Sequence, residues 1–320
     1  MTKDTLSNPP GLQPSATTKP SKTTTTTLPS HQARLASRAN QITNTAGLAP
    51  GYLQANLLIL PARYSQDFHQ LCLRNPVACP LLGVSHQPGN PHHIQPEGCI
   101  TTAEDFDIRT DCPLYRIYKH GKPIATHQKN LLPYWPNATP TPTPSPSPQP
   151  VQHEEYVSFL IGCSYSFESA LTTATLPPRH QITGCLVPMY RTNIPLLPAG
   201  IFTGGRTVVS MRPYPAHEVE RVRALTRPFL ATHGEPVDWG WEALSRLGIR
   251  DLQAPDFGEP VPVEEGEVPV FWACGVTPQL AVEAAGDKIE GLVFAHEPGH
   301  MLVTDWREED LVRLGRGLGV

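Results

Sequence analysis

The chain has 320 residues, with 25 basic and 29 acidic side chains, a net charge of −4 and no basic block, which argues against nucleic acid as a partner. Its longest apolar runs, such as Asn56-Leu57-Leu58-Ile59-Leu60, are far too short to span a bilayer, so no membrane partner is expected, and the N-terminus lacks the apolar core of a signal peptide. Seven cysteines, an odd number without a C-x-x-C pair, point to a reduced intracellular compartment, cytoplasmic or mitochondrial, and away from a cysteine zinc site.

In chain order, residues 1–33 read as a disordered Thr/Ser/Pro-rich tail, because a run such as Thr23 to Thr27 offers no apolar surface to offset the entropy of ordering. Residues 34–320 read as one domain. Gln54 to Leu60 is a strand, followed by a helix from Ser65 to Leu73 that stops before Asn75-Pro76. Ser85 to Gly98 is irregular. Tyr115 to Tyr118 and Pro123 to Thr126 form a hairpin around His120-Gly121. Pro136 to Pro150 alternates proline with small polar residues, which forbids a helix and leaves an exposed, disordered loop. Glu154 to Ile161 and Phe167 to Thr173 read as helical. Thr207 to Arg212 is a strand, and Ala216 to Leu230 a helix with Val219, Val222 and Leu225 at helical spacing. Val268 to Phe271, Gly291 to Phe294 and Met301 to Val303 are strands. Asp305 caps a last helix from Trp306 to Leu314, with Glu308 completing a capping box. Strands and helices alternate without a repeat, so the fold class is α/β: a mixed sheet with helices packed on it.

Two polar runs lie inside apolar sequence. Met189-Tyr190-Arg191-Thr192-Asn193 is one; Trp272 to Gln279, directly after a strand, is the other. Arg and Asn are rarely buried without partners, and a guanidinium with amide and hydroxyl neighbours suits a small anion. The competing reading is an Arg that locks the fold through a buried carboxylate. His296-Glu297-Pro298-Gly299-His300 matches H-E-x-x-H, but zinc-protease chemistry needs both histidines on one continuous helix, and Pro298-Gly299 breaks one. The segment is instead a tight turn between strands. His300 is then either an acid/base group or a histidine satisfied by its surroundings. Ser166 in Gly162-Cys163-Ser164-Tyr165-Ser166 is placed to cap the following helix, whose free N–H groups either bind an anion or are simply capped. Cys163 or Cys274 is either a nucleophile beside His300 or a small buried hydrophobe. Arg109, within Asp107-Ile108-Arg109-Thr110-Asp111, either pairs structurally or holds a substrate carboxylate.

Eight segments, taken in order, resemble the D-glutamate cyclase family: TAGLAPGYLQANLLILP, LRNPVACPLL, DIRTDCPLYRIY, SFLIGCSYSFESAL, PMYRTNIP, VVSMRPYP, PVFWACGVTPQ and PGHMLVTD. The resemblance runs from about residue 34 to the C-terminus and implies a larger three-layer part with a smaller, intertwined α+β subdomain. The chain stops before the second domain of the longer animal relatives. The implied reaction is hydro-lyase chemistry: cyclodehydration of D-glutamate to 5-oxo-D-proline and water. Such a site must hold a small acidic amino acid, move protons and stabilise an oxyanion, and it calls for no metal or organic cofactor. For the roles, Arg191 suits a carboxylate clamp with Thr192 and Asn193 beside it, and His300 the acid or base. Gly275, Thr277 and Gln279 suit oxyanion stabilisation, and Ser164 and Ser166 the second carboxylate. A cysteine-dependent amidohydrolase using Cys274 or Cys163, and a non-catalytic anion binder, remain alternative readings. A homo-oligomer is left open.

Overall fold

The computed structural model describes residues 28–95, 106–135, 154–307 and 309–310. The tail through residue 27, the Pro-rich loop at 136–150, Glu308 and residues 311–320 lie outside the described residues.

The expected end of the tail at residue 33 falls inside a helix, α1 (Ser30–Arg38). Its buried Arg34 donates to the Val303 carbonyl (2.9 Å) and to both carboxylate oxygens of Asp305 (3.0 Å each), and the Ser30 hydroxyl also bonds Asp305. Asp305 therefore anchors α1 rather than capping a C-terminal helix. Trp306, expected as the first residue of that helix, is part of a strand.

After α1 come β1 (Tyr52–Pro61), α2 (Ser65–Arg74), β2 (Leu81–Ser85), β3 (Ile94–Gln95), β4 (Tyr115–Lys119), β5 (Lys122–Gln128) and β6 (Tyr156–Gly162). Then follow α3 (Glu168–Thr173), α4 (Arg179–Thr183), β7 (Met189–Pro195), β8 (Arg206–Pro215), α5 (Val219–Thr226), β9 (Asp238–Trp239) and α6 (Ala243–Leu247). The chain continues through β10 (Glu267–Ala273), α7 (Thr277–Ala285), β11 (Leu292–His296) and β12 (Leu302–Arg307). One sheet has the order β3-β2-β6-β1-β11-β4-β5, with β12 also on β1; the other has the order β7-β8-β10-β9. The fold is α/β as expected. The smaller sheet is built entirely from chain between β6 and β11, so the two parts interleave in sequence.

β6 is a strand, not the helix expected from Glu154 to Ile161. Every residue of β6 is buried, because β1 and β2 flank it and both faces are covered. A strand buried on both faces shows no alternation, and its unbroken apolar run can be taken for a helix. The hairpin forms as expected: Lys119 pairs with Lys122, and His120 and Gly121 both have positive φ (50° and 69°), as a tight two-residue turn requires. The expected helix from Ala216 to Leu230 is shorter, with α5 ending at Thr226 just ahead of Pro228.

The larger sheet is covered on one face by α2 and α7, through Phe68, Leu71, Ala281, Val282 and Ala285. Its other face packs on α3, α5 and the smaller sheet, through Phe167, Leu171, Val219, Val222 and Trp272. The far face of the smaller sheet buries Tyr190, Val209, Met211 and Phe271 against α6. Among the described residues no helix is long and apolar enough to cross a membrane.

Candidate functional site

Strand alternation divides the smaller sheet between two uses. On β8, Val209 and Met211 face α6, so Val208, Ser210 and Arg212 face α7 and α3. On β7, Tyr190 faces α6 and bonds the Leu252 carbonyl, so Met189 and Arg191 share the face of Val208 and Ser210. One sheet face thus carries an open cleft at one end and a buried charged network at the other.

The cleft has a volume of about 480 Å³. Arg191, Asn193 and Arg206 line one side, and Leu280 and Glu283 of α7 the other. Arg191 is half open, with 46% of its side chain exposed. Its Nη2 lies 3.0 Å from Glu283 and its Nε 3.6 Å from Asp256, and its guanidinium sits over the Phe257 ring at 5.5 Å. The backbone N–H of Arg191 donates to Asp256 (2.8 Å), which fixes the start of the side chain. Thr192 turns inward instead. Its hydroxyl donates to the Thr207 carbonyl (2.8 Å) and accepts from Ile194 N–H (3.2 Å), where the pairing of β7 with β8 slips out of register. Thr192 therefore holds the bulge that places Arg191 and Asn193 at the cleft.

The network is fully enclosed. Arg212 Nε donates to Glu168 Oε1 (2.8 Å), and Nη2 bonds the same oxygen. Its remaining N–H groups reach Ser210 Oγ (3.0 Å) and Ser164 Oγ (3.1 Å). The guanidinium lies 5.3 Å from both the Phe167 and the Trp272 ring centroids. Gln181 donates to Glu168 Oε2 (2.6 Å), and His180 Nε2 approaches that oxygen to 3.3 Å without hydrogen-bond geometry, so both its ring nitrogens lack a bond. Burial pushes the Glu168 carboxyl up, but His180 and Arg212 outweigh it and hold the group below the usual carboxylate range.

The comparisons with known proteins fit this sequence region. A family model described as D-glutamate cyclase matches residues 157–305, which include the cleft and the network. A Schizosaccharomyces pombe protein designated "putative hydro-lyase" is 45% identical over 262 residues, 82% of this chain and 79% of its own length. A protein with the same designation from Bradyrhizobium sp. (strain ORS 278) is 46% identical over 290 residues, 90% of this chain and 94% of its own. The chain belongs to the D-glutamate cyclase family.

In this D-glutamate cyclase family member, the structure brings only Arg191, Thr192 and Asn193 of the residues proposed from sequence to one cleft. His300 is elsewhere. Its two ring nitrogens face the carbonyls of Pro298 (3.0 Å) and Thr43 (2.7 Å), which ties the segment after α1 to the β11–β12 turn and leaves no nitrogen for a substrate. That turn is the expected one. β11 pairs with Leu58 and Ile59 of β1 and β12 with Tyr52 to Ala55, so His296–Met301 crosses the gap between them. Gly299 takes φ of 83° against Leu186. His296 fills the missing ladder position, with Nδ1 facing both the Leu57 N–H (3.1 Å) and the Leu57 carbonyl (3.2 Å). Glu297 pairs with Arg116. The two histidines thus bind different backbone segments.

Gln279 donates to the His296 carbonyl (3.0 Å), faces His296 Nδ1 at 3.5 Å and accepts from the Tyr118 hydroxyl (2.8 Å), so it is buried against β4 and β11 and does not line the cleft. Thr277 accepts from Val208 N–H (3.0 Å) and donates to the Cys274 carbonyl (2.7 Å), stitching α7 to β8. Gly275 abuts the Asn56 amide, where a Cβ would come within 1.8 Å. Ser164 serves Arg212, and Ser166 accepts from Gln54 N–H (3.1 Å). The cap of the Ser164–Phe167 turn is Cys163, whose sulfur accepts from Tyr165 N–H (3.5 Å). Arg109 pairs with Asp107 in a turn at 2.7 Å and lies near Trp135, away from the cleft. The sequence reading missed Arg206, Glu283 and the Glu168–Arg212 pair. Arg212 carried the signal already used for Arg191, an arginine within an apolar run.

Proposed function

We propose that this chain catalyses the cyclodehydration of D-glutamate to 5-oxo-D-proline in the cleft between β7 and α7. The observation that carries this reading is Arg191, a half-open guanidinium at a cleft large enough for an amino acid and directly beside the Glu283 carboxylate. Membership in the D-glutamate cyclase family supports it. A guanidinium binds a carboxylate through two parallel N–H groups, and a carboxylate accepts an ammonium proton. In the reaction the amine nitrogen forms a bond to the side-chain carboxyl carbon and a C–O bond breaks. The ammonium gives up two protons, and the departing oxygen takes both to leave as water. Glu283 is the group assigned to carry them, and the Asn193 amide faces the oxygen that bears the transient charge. Amine and carboxyl are already tethered, so the cleft has chiefly to hold the substrate curled.

The test is to incubate the protein with D- and L-glutamate and follow 5-oxoproline by chiral chromatography. Product from the D-isomer is expected; product from neither overturns the assignment. Arg191→Gln and Arg191→Lys are expected to melt near the wild-type temperature, because the rim ion pairs of a half-exposed arginine contribute little stability. Both are expected to bind D-glutamate roughly ten- to a hundredfold more weakly, the loss of one charge-assisted carboxylate bond. Full affinity in both variants would remove Arg191 from the site.

The cysteine route is disfavoured. Burial pushes the Cys274 thiol up to about 11 and the Cys163 thiol higher still, so both stay protonated at neutral pH. Cys274→Ser is expected to keep most of the product-forming rate, and a dead Cys274→Ser protein that still folds would restore a thiol nucleophile.

A further inference from the structure

The cleft contains a second guanidinium that the proposed reaction has not yet used. Arg206 opens β8 and is exposed at its end. It lies on the face shared by Val208 and Ser210, and so on the side of Arg191. Arg191 is already neutralised by Asp256 and Glu283. Arg206 differs: among the described residues its side chain makes no ion pair and no hydrogen bond, although Glu283 lines the same cleft. An unpaired guanidinium facing a cavity is a binding group without a ligand. The cleft therefore presents two cations and a carboxylate across from each other. The complementary ligand carries two carboxylates and one ammonium.

We infer that Arg206 is the second carboxylate anchor of the cleft and makes it selective for acidic over neutral amino acids. This rests on the proposed use of the cleft as the substrate site. With Arg191 on the α-carboxylate, Arg206 takes the side-chain carboxylate, the group under attack in the cyclisation. A guanidinium there neutralises the charge that would repel an incoming lone pair, and strengthens its hold as charge builds on the oxygen. A neutral amide in the same position gains only a weaker, uncharged hydrogen bond.

Calorimetric titration of wild-type, Arg206→Gln and Arg206→Lys proteins with D-glutamate, D-glutamine and glutarate separates the possibilities. Arg206 is exposed, so the variants are expected to melt like the wild type. Arg206→Gln is expected to lose roughly ten- to a hundredfold in affinity for D-glutamate and glutarate, while D-glutamine changes less than about threefold. Arg206→Lys, which keeps the charge but not the planar fork, is expected to fall between. Unchanged D-glutamate affinity in Arg206→Gln, or an equal loss for D-glutamine, overturns the role of Arg206 even where 5-oxoproline still forms. Loss of glutarate and D-glutamate binding in Arg206→Gln, in a protein that forms no 5-oxoproline, supports the anchor and overturns the cyclisation. A wild-type protein that binds none of the three ligands overturns both.

Discussion

Arg212→Ala is expected to lower the stability of the protein by about 3–5 kcal/mol, because it strands a buried carboxylate. Glu168 and Arg212 are both essentially inaccessible to water, at 1% and 0% exposure, so no solvent replaces the lost partner. Four hydrogen bonds from the guanidinium disappear together, to Glu168 twice, Ser210 and Ser164. The contact of the guanidinium with the Phe167 and Trp272 rings is lost as well. Urea titration followed by tryptophan fluorescence reads the change directly. The double variant Arg212→Met with Glu168→Leu is the informative control. Removing both charges in favour of apolar groups is often neutral, so it should recover much of the loss. If the single variant is as stable as the wild type, water reaches Glu168 and the network is not the enclosed ion pair described above.

The second large effect is on acid stability. Burial lowers the pKa of His233 and of His296 to about 4 each. The geometry of His296 agrees: Nδ1 lies against the Leu57 backbone, 3.1 Å from its nitrogen and 3.2 Å from its carbonyl oxygen, and Nε2 has no acceptor to which a charge could be shared. Both folded values lie below the unfolded histidine value of about 6.5. Between those limits the unfolded chain binds protons that the folded chain refuses. The stabilisation is therefore complete above about pH 6.5 and is lost progressively as the pH falls toward 4. At pH 5 each ring is expected to cost about 2 kcal/mol, on the scale of 1.36 kcal/mol per pKa unit. Glu168, held low by Arg212 and His180, adds a further loss only below the ordinary carboxylate range of about 4.3. Denaturant titrations at pH 7.5, 6 and 5 should show falling stability, and His296→Gln, which cannot titrate, should flatten part of the slope. A stability that does not change over this interval would mean that neither ring is held neutral.

Much of the molecule was legible in the order of its residues because the responsible forces are local. Proline and glycine at 298 and 299 cannot continue a helix, so the H-E-x-x-H letters had to form a turn, and they do. His120-Gly121 between two strand-like runs specified a hairpin. Arg191 in an apolar run announced a guanidinium that needs a partner, and the ordered motifs announced the family. Burial on both faces erased the alternation that would have marked β6 as a strand, so only its neighbours β1 and β2 reveal it.

The makeup of the site was decided in three dimensions. Arg206 and Glu283 join Arg191 because β8 pairs with β7 and α7 packs across both, and no spacing along the chain encodes that meeting. His300, Gln279 and Thr277 have side chains suited to catalysis, yet each is consumed by backbone or neighbouring groups that distant segments bring to it. Side-chain chemistry is written in the sequence. Whether a polar group is left free to meet a ligand depends on which other polar groups fold against it, because a buried donor or acceptor is satisfied by whatever lies nearest.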